Sequence, residues 1–104
     1  MTLEELAKII ATRAKADPSD SWTAKLMAQG PEKAAEKFGE EAIEAVIEAV
    51  KGDKDRLTAE AADVLFHLLV MLESSGVSIT SVMDELARRQ GQSGLAEKAA
   101  REQG

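Results

Sequence analysis

Two acidic pairs at helical spacing, Glu41-x-x-Glu44 and Glu60-x-x-Asp63, are the residues of this chain best suited to do chemistry. Residues three apart on a helix share a face, so each pair sets two carboxylates side by side. Four such groups on neighbouring helices repel one another strongly unless a cation lies between them. Oxygen-only ligation suits Mg²⁺ or Mn²⁺ and not zinc, which prefers nitrogen and sulfur. Magnesium in turn takes substrate phosphates as remaining ligands, so the pattern points to a phosphorylated substrate. The competing reading is a solvated acidic face, the usual meaning of Glu-x-x-Glu in an acidic helix. It is the stronger reading for Glu41 and Glu44 alone. Glu60 and Asp63, however, interrupt an apolar helix with no solvated face to spare, where a broken charge pair costs roughly 3–5 kcal/mol. On residue physics the two readings stand level.

The segments carrying these residues read as helices, and no strand-like alternation persists anywhere. The patterning predicts helices over about 3–16, 23–29, 31–51, 54–75 and 79–90. Thr2 with Glu5 forms a capping box, Pro31 opens the third helix, and Gly52-Asp53 closes it. Ser78 caps the fifth helix, which Gly91 ends. The stretch 92–104 is polar and weakly patterned, a tail with little expected order. One domain spanning 1–104 is expected, since nothing resembles a linker.

The tight turn at Gly52 makes the third and fourth helices antiparallel neighbours. Counting outward from it sets Glu44 opposite Glu60 and Glu41 opposite Asp63. The fourth helix is apolar almost all round, with Glu60, Asp63 and His67 as its one polar stripe beyond the first turn. A chain of 104 residues can hardly cover such a helix. The expectation is therefore an all-α bundle of about five helices whose core is completed by a homodimer or higher oligomer.

Composition narrows the partners. A net charge of -6 argues against non-specific nucleic-acid binding and against adhesion to anionic membranes. The absence of cysteine fits a reducing cytosol. No basic stretch precedes an apolar run at the start, so no signal peptide is expected. The longest apolar run, 64–72 with His67 inside it, is too short to span a bilayer. Lys25, Lys33 and Lys37 read as surface lysines, although Lys37 sits one turn before Glu41, where a phosphate donor is useful. His67 reads as a second-shell group, a phosphate contact or a core histidine bonded to a carboxylate, the last being commonest. Arg88 and Arg89 suit a helix C-terminus without any further role. Trp22 reads most simply as a packing residue.

Longer blocks extend the pattern. The run Ser21-Trp22-Thr23-Ala24-Lys25-Leu26, with Gly30, Lys33 and Lys37-Phe38-Gly39-Glu40-Glu41-Ala42-x-Glu44, resembles the phosphoribosyl-ATP pyrophosphohydrolase family. So do Glu60-Ala61-Ala62-Asp63-Val64-Leu65-Phe66-His67-Leu68-Leu69-Val70, then Glu85-Leu86-x-x-Arg89 and Ser93-Gly94-x-x-Glu97-Lys98. Relatives usually carry tyrosine where Trp22 and Phe66 stand. The resemblance implies an all-α NTP pyrophosphatase of the MazG-like superfamily, acting in the second step of histidine biosynthesis. Its implied reaction is Mg²⁺-dependent hydrolysis of phosphoribosyl-ATP to the AMP derivative and pyrophosphate. It also implies that Glu41, Glu44, Glu60 and Asp63 hold metal and that Glu40 or Glu44 serves as the base. Lys25, Lys37, His67 and Arg89 are then the expected substrate contacts. Two alternatives remain: a related pyrophosphatase that clears damaged nucleotides, and a non-enzymatic helical dimer.

Overall fold

Side chains that accept backbone N–H bonds set where four of the helices begin. Thr2 Oγ1 accepts from the Glu5 amide at 3.1 Å and starts α1, Leu3–Ala14. Ser21 Oγ accepts from the Ala24 amide at 3.2 Å and starts α2, Trp22–Ala28. Asp53 Oδ1 accepts from the Arg56 amide at 3.0 Å ahead of α4, Lys54–Ser74. Ser78 Oγ accepts from the Ser81 amide at 3.1 Å ahead of α5, Ile79–Arg89. The remaining helix, α3 over Pro31–Lys51, opens on proline, whose missing N–H costs nothing in a first turn. This computed structural model describes residues 1–91 together with 98, 101 and 102, and no strand occurs among them. Most of the weakly patterned 92–104 stretch lies outside the described residues.

The helix bounds fall within two residues of expectation, and two of the differences have local reasons. The end of α1 falls at Ala14, because the Lys15 and Ala16 amides turn back three residues to Thr12 and Arg13. Pro18 then disfavours helical backbone at Asp17. The start of α2 comes one residue early, because Ser21 supplies the cap.

The turn that matters for the site is Gly52, at φ 77°, a left-handed conformation in which a side chain is strained. The amides of Gly52 and Asp53 both return to the Glu48 carbonyl, at 3.1 and 3.2 Å. The chain reverses within two residues and lays α4 along α3, the most extensive packing between any two helices of the fold.

Ile10, Leu26, Ala34, Leu69 and Val70 form the buried centre, so α4 is the spine against which α1, α2 and α3 pack. The apolar surface left uncovered extends beyond the helix the sequence singled out. It runs mainly along α3, as Ile43, Val46, Ile47 and Val50, with Val50 84% exposed. These four positions recur at i, i+3, i+4 and i+7, one continuous helix stripe. Leu65 of α4 is exposed as well. The first two helices already cover one side of α4, whereas among the described residues nothing covers this stripe of α3. Among the described residues no single helix is long and apolar enough to cross a membrane.

Candidate metal centre

The hairpin brings the acidic pairs together. Glu41, Glu60 and Asp63 each offer a carboxylate oxygen, and these oxygens lie within 4.8 Å of one another. Glu44 lies beside them, close enough to act on the carboxyls of Glu41 and Glu60. Burial first, then Glu44 and Glu41, push the Glu60 carboxyl up from 4.5 to about 7. Glu41 is raised also, by burial and by the charges of Glu44 and Asp63. Glu60 Oε2 is buried with no hydrogen-bond partner. Four carboxylates, one of them with an orphaned buried oxygen, are an unbalanced arrangement for a resting protein. An oxygen-only donor set with this excess of negative charge matches a hard divalent cation such as Mg²⁺.

The electrostatics give a sign for the metal-free protein. An acid whose pKa is raised by folding stabilises the fold below its unfolded value, near 4.5, and loses that contribution as pH rises through about 7. His67, lowered chiefly by burial, acts oppositely: its contribution is present above 6.5 and lost as pH falls. The Glu60→Gln difference isolates the carboxyl. With metal chelated, the thermal midpoint of the wild type relative to Glu60→Gln is expected to fall steadily between pH 5 and 7.5. Scanning calorimetry across that range measures it.

The remaining sequence candidates separate into those near the cluster and those apart from it. Lys37 pairs with Glu40 at 3.3 Å, and the charges of both reach His67. Glu40 itself is exposed and is not among the three clustered donors. His67 is buried, as a core histidine should be, but its partner is backbone and not a carboxylate. Its Nδ1 lies 3.2 Å from the Asp63 carbonyl, and a carbonyl only accepts, so Nδ1 carries the proton. The ring thereby braces the turn of α4 that presents Asp63, packing edge-on against Phe66. Lys25 is exposed on α2, on the rim of a depression that holds none of the four carboxylates. Arg89 lies on α5, where it and Arg88 hold Glu85 and pull that carboxyl down to about 2. Trp22, read as a packing residue, stands 54% exposed at the start of α2.

Comparison with known proteins agrees with the geometry. The family model described as phosphoribosyl-ATP pyrophosphohydrolase matches residues 3–90. A protein of Ruegeria pomeroyi named phosphoribosyl-ATP pyrophosphatase is 65% identical over 102 residues, covering 98% of this chain and 97% of the relative. One of the same name from Cereibacter sphaeroides is 65% identical over 99 residues, covering 95% of this chain and 96% of its own. Another, from Dinoroseobacter shibae, is 64% identical over 99 residues, with 95% and 97% covered. With a match along nearly its whole length and the acidic hairpin in place, this chain belongs to the phosphoribosyl-ATP pyrophosphohydrolase family.

Proposed function

We propose that this protein hydrolyses 1-(5-phosphoribosyl)-ATP to 1-(5-phosphoribosyl)-AMP and pyrophosphate, with Mg²⁺ (or Mn²⁺) held by Glu41, Glu44, Glu60 and Asp63. The observation that carries the proposal is the convergence of three carboxylate oxygens from two helices within 4.8 Å, in a chain of this family. When bound, the metal supplies charge neutralisation on the triphosphate and a fixed orientation for it. The chain's own residues do the rest. Water attacks one of the two phosphorus atoms flanking the α–β bridge, the bond from that phosphorus to the bridging oxygen breaks, and phosphoribosyl-AMP and pyrophosphate separate. Glu44, which stands at the cluster beside Glu60, or Glu40, which is released once Lys37 turns away, accepts the proton of that water. Lys37, one turn before Glu41, turns its ammonium from Glu40 to the phosphates. His67 fixes the backbone behind Asp63 and faces the charges of Lys37 and Glu40. Lys25 and Arg89 are assigned to phosphates farther from the reacting bond. Pyrophosphate release from phosphoribosyl-ATP, set against release from ordinary and damaged nucleoside triphosphates, tests the substrate assignment.

The working form in this proposal is a homodimer, or a higher oligomer built from it, in the cytoplasm. The stripe of Ile43, Val46, Ile47 and Val50 is the surface that supports it, since patterned apolar faces of this kind seek a partner helix. Ile47→Lys combined with Val50→Lys is expected to elute from a sizing column as a monomer. A double variant that keeps the wild-type elution volume rules this stripe out as the subunit contact.

A further inference from the structure

Trp22 is a large aromatic surface that the fold leaves uncovered. It forms a wall between two depressions at the α1–α2 connection. One, about 390 Å³, is lined by Arg13, Asp20, Ser21, Thr23 and Phe66 besides the indole. The other, about 500 Å³, lies against Pro18, Asp20 and Lys25. Both volumes fall within the usual range of small-ligand sites. Neither Arg13 nor Lys25 enters an ion pair among the described residues. Two aromatic rings with free cations beside them make a surface suited to a flat, electron-rich ring carrying negative groups.

The position ties this surface to the metal centre. Phe66, which lines the first depression, follows Asp63 by three residues on α4, so the two share a face. Its ring packs against His67, centroids 5.2 Å apart, and His67 braces the turn that presents Asp63. A nucleotide with its phosphates at the carboxylates can extend its base along this face toward the α1–α2 connection.

We infer that Trp22 is a specificity-determining residue that stacks on the purine of the substrate, with Phe66 at the edge of the same site and Arg13 beside it. The inference rests on the substrate proposed above. Trp22 is the only tryptophan in the chain, so its fluorescence reports on this site alone. Titration of the wild-type protein with phosphoribosyl-AMP, in Mg²⁺ and under conditions of no turnover, is expected to quench that emission saturably. Ribose 5-phosphate, which lacks the base, is expected to leave it unchanged. Trp22→Ala is expected to raise KM for phosphoribosyl-ATP by roughly tenfold with kcat retained, the signature of lost uniform binding, and Trp22→Phe to restore most of it. An emission that does not respond to phosphoribosyl-AMP overturns the inference, and where the wild type still hydrolyses phosphoribosyl-ATP the activity assignment survives that loss. A Trp22→Ala variant that turns monomeric while keeping its KM assigns the indole to subunit contact and overturns it too.

Discussion

Asp63→Asn is expected to lower kcat by about three orders of magnitude while helix content and oligomeric state stay as in the wild type. The substitution preserves shape and removes one negative oxygen from a set of three that lie within 4.8 Å. A divalent ion loses both a ligand and part of its electrostatic hold, and lost charge stabilisation in the transition state amounts to several kcal/mol. At about 1.4 kcal/mol per tenfold, that is roughly a thousandfold in rate. Stability is expected to move the other way. Glu41 is held above its ordinary pKa by burial and by the charges of Glu44 and Asp63, so deleting the Asp63 charge relieves it. With metal chelated, Asp63→Asn should therefore melt at or above the wild-type temperature. Steady-state pyrophosphate release with parallel circular dichroism checks both signs. A variant that retains more than a tenth of the rate removes Asp63 from the ligand set, and a helical scaffold without activity has no rate to lose.

Mg²⁺ itself is expected to raise the thermal midpoint of the wild type by on the order of 10 °C at saturation. A ligand present at a hundred times its Kd adds about 2.7 kcal/mol to a fold it binds only when native. For a domain of about 100 residues each kcal/mol moves the midpoint by roughly 4 °C or more. The gain arises where the repulsion is, so Glu60→Gln should lose most of it. Sodium chloride at matched ionic strength separates binding from screening, because screening acts on every exposed pair alike. Equal shifts with sodium and magnesium contradict a specific site.

The parts of this molecule legible in the sequence are those set by neighbours along the chain. Pro31 and Gly52 bound α3 where the patterning placed it, and counting outward from Gly52 set Glu44 against Glu60. The carboxylate cluster follows from that turn with no knowledge of the rest of the fold. Contacts that depend on how distant helices settle were not legible. The apolar composition of α4 suggested that it carried the uncovered face; α1 and α2 cover one side of it, Leu65 stays exposed on it, and the longer uncovered stripe lies on α3. Hydropathy shows what wants burial and not which neighbour arrives. Trp22 read as a packing residue for the same reason, and it stands 54% exposed. His67 was rightly placed on the stripe of Asp63, but a side chain's bond to a carbonyl one turn back leaves no mark in residue types. Arg89 shares a family block with Glu85, and the structure shows the two bound to each other.

The most direct test is pyrophosphate release from phosphoribosyl-ATP in Mg²⁺, repeated after chelation and again after magnesium is restored. Rapid release is expected, with a fall of at least about a thousandfold on chelation and full recovery on re-addition. Release that continues unchanged in the chelator contradicts a metal-dependent carboxylate centre on α3 and α4.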